Sequence, residues 1–203
     1  MRLVAGCRLD PADGPPFLVY PTERPVYARL CRLLSLGKAR AGRGRCGITW
    51  ADVEEHGEGL LAILVPNEPD DGLRGCVARL RAGFGDRAHL ARTLRRRPGD
   101  AVRLRALADM ARAARVATVA TGDVLHHVPE RHVLQDVLTC IREGCAIDDA
   151  GFRRERSVDR HLRPAEEMAR LSGAARRRSR ARWRSLSAAA SRSPSCATVP
   201  GRD

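Results

Sequence analysis

The sequence predicts an α/β fold with a mostly parallel sheet, and three observations carry that expectation. Strand-length apolar runs alternate with longer segments of helical periodicity up to about residue 171, the order that places helices between parallel strands. The run LLAILV at Leu60–Val65 has no polar residue, which suits a strand buried on both faces. The β-prone run Val116–Ala120 ends in Thr121-Gly122-Asp123, and Pro129 and Glu130 then open a helix-like segment. An acid between a strand and a helix lies at the end of an α/β sheet where such folds place their chemistry.

The elements follow in order. Leu3–Cys7 and Phe17–Tyr20 read as short strands separated by the turn Asp13-Gly14-Pro15-Pro16. Thr22 is the expected N-cap of the next helix, with Pro25 in its first turn. From Val26 to Leu36, the residues Leu30, Leu33, Leu34 and Leu36 form one helical stripe, and Gly37–Gly47 reads as a basic, Gly-rich loop. Thr49 opens a short helix, TWADVEEHG, in which Thr49 and Asp52 form a capping box with Asp in place of Glu. Leu60–Val65 is a strand, Asp70–Phe84 an amphipathic helix ended by Gly85, and His89–Leu94 a strand. Pro98–Arg115 is a long Ala/Leu/Arg helix with Pro98 near its start. Val116–Ala120 is the strand that delivers Asp123, and Val133–Glu143 and Pro164–Leu171 are helices.

Composition bounds the function. A chain of 203 residues suits one ordinary domain. Hydrophobic residues make up 43% and aromatic ones 3%, so Leu, Val and Ala must build the core. No apolar run reaches membrane-spanning length, and MRLVAGCRLDP lacks a signal-peptide core, so the expected location is the cytoplasm, with no membrane partner. Seven cysteines are scattered without a C-x-x-C pair, which argues against a disulfide framework and a structural zinc site.

The net charge of +13 invites a nucleic-acid reading. Residues 171–203 hold eight Arg and one Asp, however, which places +7 of the +13 in that stretch. Lys38 is the only lysine, a bias that fits GC-rich codon usage. The segments able to contact phosphates are Lys38–Arg45 (KARAGRGR), with Lys38, Arg40, Arg43 and Arg45 as candidates, and Arg176–Arg184. Aromatic residues for base stacking are scarce.

Several strings together resemble one family. TGDVLHHVPER (Thr121–Arg131), LQDVLTCIREG (Leu134–Gly144) and IDDAGFRRER (Ile147–Arg156) are similar to the N-terminal PHP (polymerase and histidinol phosphatase) domain of bacterial error-prone DNA polymerases. These are C-family relatives of the DNA polymerase III alpha subunit. VYARLCRLLSLGKARAGRG (Val26–Gly44) and ARTLRRRPGD (Ala91–Asp100) match as well, and the resemblance covers roughly Met1 to Leu171. It implies a PHP-type (β/α) barrel. It also implies that the barrel is incomplete, because the family's first His-rich motif and its strands precede the point matching Met1. Residues 1–171 would then be a partial PHP domain in a fragment of an error-prone polymerase, an enzyme of damage-tolerant DNA synthesis. DNA and the remaining polymerase modules, in cis or as a separate fragment, are the implied partners. The polymerase carboxylates of the family lie far downstream, so the fragment itself is expected to be inactive.

An active PHP centre is a multi-metal phosphoesterase that needs several His, Asp and Glu ligands. Asp123 matches the acid of the family's final D-x-H motif, but its partner position is Leu125, leaving His126 and His127 as substitutes. Cys7 stands where the active family has Glu. The strand His89–Leu94 should lead into a Glu and a His, and instead gives Thr93, Arg95 and Arg96, whose positive charge opposes a cation. His56, His132 and His161 have no partner at ligand spacing along the chain. The primary expectation is a structural, degenerate PHP domain without cofactor. The alternatives are a metal-dependent phosphoesterase holding Mg, Mn or Zn at Asp123, His126 and His127, and a non-enzymatic basic nucleic-acid-binding protein. Asp70-Asp71 and Asp148-Asp149 read as helix-start or turn acids.

At Leu171 the composition changes abruptly. Residues 172–203 are basic and of low complexity and read as a disordered tail. A one-base frameshift near codon 172 would account for the change, because GC-rich codons assumed for these residues, read in the restored frame, give a helix-like text that resembles the family.

Overall fold

The structure, a computed structural model, describes residues 4–42, 44–94, 98–155 and 157–171. Five strands, β1 (Cys7–Leu9), β2 (Phe17–Pro21), β3 (Leu60–Leu64), β4 (Ala88–Thr93) and β5 (Ala117–Thr121), form one open sheet in chain order. The helices are α1 (Arg24–Ala41), α2 (Trp50–Glu55), α3 (Asp71–Phe84), α4 (Asp100–Ala113), α5 (His132–Glu143) and α6 (Ala165–Leu171). The predicted tail at 172–203, the expected beginning of the first strand at Leu3, and Arg43, Arg95 and Arg96 lie outside the described residues.

The mixed α/β class holds, but the mostly parallel sheet is corrected. β3–β4 and β4–β5 are parallel, whereas β1–β2 and β2–β3 are antiparallel. The loop between β1 and β2 is too short for a parallel crossover. From β2 to β3 the chain crosses the helix layer twice. Helix α1 carries it back to the β1–β2 hairpin, where the Ala12 N–H donates to the Ile48 carbonyl at 2.9 Å and the Trp50 N–H donates to Asp13 at 2.7 Å. Helix α2 returns it to the end of β2, where the Thr22 hydroxyl donates to the Gly59 carbonyl at 2.8 Å. Two helical passes re-enter the sheet at the end they left, so β3 must run antiparallel to β2. Thr22 is thereby spent on Gly59, and Glu23 occupies the N-cap position of α1 without a side-chain cap.

The strands alternate between two faces. Phe17, Val19, Leu60, Ala62, Leu64, Ala88 and Leu90 point to one face, which is covered by residues of α1, α2, α3 and α4. Each fully buried Leu or Phe there contributes roughly 1.5–3 kcal/mol. The other face carries a smaller apolar cluster of Leu61, Ile63, Val65 and Ala91, with Leu18, Tyr20 and Val119 against it. Four helices therefore cover a single face.

Two local departures from the predicted elements have steric causes. Helix α1 continues through Gly37 to Ala41, where a loop was expected. Gly37 serves contact rather than flexibility: a Cβ there would stand 2.5 Å from both Cys46 Sγ and Ile48 Cγ2. The 46–48 segment therefore passes directly over the helix, and the Gly47 N–H donates to the Gly37 carbonyl at 2.8 Å. The first strand sits two residues later than expected at its C-terminal end, because Cys7, Arg8 and Leu9 pair with Val19, Leu18 and Phe17. The capping box of α2 forms as predicted, with both reciprocal hydrogen bonds between Thr49 and Asp52.

Beyond β5 the chain makes one more crossover. It turns at Asp123, passes through α5 and returns parallel to residues 125–127, with a single bridge between His126 and His161. The Leu125 N–H donates to the Arg160 carbonyl at 2.8 Å, and the Leu162 N–H to the His126 carbonyl at 3.1 Å.

Candidate functional site: the acidic turn after strand β5

β5 ends beside β4, where the Thr93 and Thr121 hydroxyls lie 2.6 Å apart. Two residues later Asp123 adopts φ 46°, a left-handed conformation that Asp tolerates better than most residues. This turns its carboxylate and its carbonyl towards the returning segment. Arg160 meets both: its Nη2 lies 2.8 Å from Asp123 Oδ2, and its Nε donates to the Asp123 carbonyl at 2.8 Å. The same guanidinium reaches Glu155, with Nη1 2.6 Å from Oε2. All three side chains are less than one fifth exposed. A planar guanidinium thus spans two carboxylates and a carbonyl, the fork geometry for which arginine is suited.

His126 and His127 diverge from each other. His127 is exposed, whereas His126 is only 7% exposed. His126 Nδ1 lies 3.0 Å from the Val128 carbonyl. A carbonyl only accepts, so Nδ1 is the donor in this contact. The His126 Nε2 is buried without a hydrogen-bond partner. Fold topology also brings in two histidines that sequence spacing left isolated. The His132 ring stands edge-on to His126 with centroids 5.9 Å apart, and the His161 ring stacks on it at 6.3 Å. Both are held by carbonyls: His132 Nε2 lies 2.7 Å from that of Glu155, and His161 Nδ1 lies 2.9 Å from that of Val158. Among the described residues no three His, Cys, Asp or Glu side chains are grouped as ligands of one ion. A metal at Asp123 would share its carboxylate with the Arg160 cation, and the imidazoles nearby already spend one nitrogen each on the backbone.

The other described positions matched to the family's ligands, Cys7 and Thr93, carry a thiol and a hydroxyl. Cys7 shares the helix-covered face and packs against the main core. Burial raises its thiol pKa, assisted by the neighbouring Cys46 and Cys31. Thr93 is buried beside Thr121.

The candidate phosphate contacts separate as well. Lys38 and Arg40 lie on the last turn of α1, and Lys38, Arg40 and Arg45 are all exposed. Arg40 is drawn into the α2 cap, with Nη1 2.6 Å from Asp52 Oδ2. Asp52 is held below its ordinary carboxylate pKa of 3.8, foremost by the Thr49 backbone N–H and, against the opposing effect of burial, by Arg40 and the Thr49 hydroxyl. Arg40 is therefore a structural ion-pair partner of a capping acid.

An open mixed α/β sheet with helices on one face, in which the acid after the last parallel strand is paired by arginine, defines an α/β scaffold and by itself no activity. Comparison with known proteins gives a narrower identity. The chain is 56% identical over 171 residues to error-prone DNA polymerase 1 of Agrobacterium fabrum, a match covering 84% of this chain and 16% of the relative. It is 44% identical over 173 residues to the error-prone DNA polymerase of Caulobacter vibrioides, with the same coverage. It is 40% identical over 178 residues to that of a Bradyrhizobium strain, covering 84% of this chain and 15% of the relative. No family model matches the chain. The chain is homologous to the N-terminal part of the error-prone DNA polymerases and spans about a sixth of the length of these curated relatives. No helix among the described residues is long and apolar enough to cross a membrane.

Proposed function

We propose that this chain is a PHP-type, N-terminal portion of an error-prone DNA polymerase, and that it serves as structural support for the polymerase instead of hydrolysing phosphoesters itself. The observation that carries the reading is Arg160. It sits on the acid matching the family's last metal motif and places one fixed cation between Asp123 and Glu155. The barrel reading draws support from four helices covering one face of the sheet and from the parallel return at His126 and His161. A (β/α) barrel likewise has an outer helix layer and an inward-facing strand surface. Template-directed DNA synthesis, contact with DNA and a cytoplasmic location belong to the intact polymerase. The polymerase carboxylates lie in the part that this chain does not match. Residues 1–171 form the PHP-type portion, and residues 172–203 are a basic tail produced by a one-base shift near codon 172. Sequencing the coding DNA through that codon checks the last point.

The phosphoesterase alternative places Mg, Mn or Zn at Asp123 with His126 or His127. Metal analysis of the protein after dialysis against Mn or Zn separates the two readings. Less than a tenth of an equivalent is expected. A stoichiometric ion that is lost in Asp123→Ala, together with metal-dependent hydrolysis of a phosphomonoester, overturns the structural reading.

A further inference from the structure

Helix α5 is folded inside out. Its aliphatic residues Val133, Leu134, Val137, Leu138 and Ile141 recur at the spacing of a single helical face. All five are exposed, Ile141 to 72%. The opposite side of the helix is buried and carries Asp136, Thr139 and Cys140. Asp136 is 7% exposed, Thr139 is buried and donates its hydroxyl hydrogen to the Gln135 carbonyl at 2.9 Å, and His132 lies against His126. An ordinary surface helix has the reverse arrangement, with its aliphatic stripe on the core. Leu162, on the returning segment, is also exposed. Exposed aliphatic surface of this kind marks a contact with another surface.

We propose that the aliphatic face of α5 docks an apolar surface of the polypeptide that the error-prone polymerases carry beyond the segment matched here. The proposal rests on the reading of this chain as the N-terminal portion of such a polymerase. That polypeptide makes up more than four fifths of each relative, since the match covers 16% of its length. Two other occupants fit less well. Residues 172–203 contain only Trp183, Leu186 and Val199 as large apolar residues, too few to match a five-residue stripe. A second copy would bring together two chains each carrying a formal charge of +13, which repel.

The test compares backbone amide exchange across residues 132–143 in two proteins. One is the 203-residue chain. The other is the Agrobacterium fabrum error-prone DNA polymerase 1 in which this chain's residues 1–171 replace the matching N-terminal stretch. Docking slows exchange of α5 at least tenfold in the chimera. In the chimera, the triple variant Val137→Gln, Leu138→Gln, Ile141→Gln returns exchange to the rate of the free chain. In the free chain the same variant leaves the exchange rate and melting temperature unchanged, because those side chains are exposed there. A chimera that synthesises DNA but exchanges α5 as fast as the free chain overturns the docking surface and leaves the polymerase reading standing. A chimera that neither synthesises DNA nor protects α5 overturns both. Protection that grows with concentration in the free chain overturns the proposal in favour of self-association.

Discussion

At the scale of single residues, the account turns on two charged groups that sequence spacing does not connect. Asp123 was legible, because an acid after a β-prone run and a glycine marks the end of a strand. Arg160 was not legible, because it reaches Asp123 only through a crossover 37 residues long. The same crossover assembles His126, His132 and His161, which in sequence look isolated. Replacing Arg160 by Ala removes one cation from beside two largely buried carboxylates. The expected cost is about 2–3 kcal/mol, below the full penalty for breaking a buried pair because the site is partly solvated. Urea unfolding measures it, and the triple change Arg160→Met, Asp123→Asn, Glu155→Gln should recover most of the loss. Asp52 sets a pH dependence of known sign. Its folded pKa lies below 3.8, so its contribution is complete above that value and is lost as the pH falls through the folded pKa. Asp52→Asn should lower stability at neutral pH and flatten the acid limb of the stability curve below about pH 4, read by thermal melts across pH.

At the scale of elements, most helices and strands were visible as periodicity and punctuation, and the misplacements are physical. The loop expected after Gly37 was a misreading of a glycine chosen for close approach, since the helix there runs beneath Cys46 and Ile48. The ends of α4 and α5 show how the same geometry can be met well or badly. Helix α5 ends at Gly144 with φ 65°, and the Cys145 N–H donates to the Cys140 carbonyl at 3.1 Å. Helix α4 closes with the full pair of Schellman bonds, Val116 N–H to Ala111 at 2.8 Å and Arg115 N–H to Arg112 at 3.1 Å. Its left-handed position, however, is occupied by Arg115 at φ 55°. Arg115→Gly should stabilise the protein by about 1 kcal/mol by relieving that strain, seen as a higher urea midpoint with an unchanged slope. The inside-out character of α5 was hidden for a different reason. Periodicity reports that a stripe exists but does not say whether the fold turns it inward.

At the scale of the whole molecule, strand and helix order gave the α/β class but not the strand directions. Alternation alone favours a parallel sheet. The double pass through α1 and α2 reverses β3 relative to β2, and this is set by the contacts of Ala12, Asp13 and Thr22 with segments far away in the chain. What remains exposed after folding also has meaning only at this scale. One sheet face has no helix from α1 to α4, and α5 shows its aliphatic side, as expected for a portion that packs within a larger polymerase. The most direct measurement is primer extension by the chimera in which residues 1–171 replace the matching stretch of the Agrobacterium fabrum enzyme. If this chain is a supporting portion of such a polymerase, the chimera extends primers within about tenfold of the parent rate, and Asp123→Asn leaves that rate unchanged. A folded chimera that does not extend primers, or one whose synthesis disappears with Asp123→Asn while its melting temperature holds, contradicts the account.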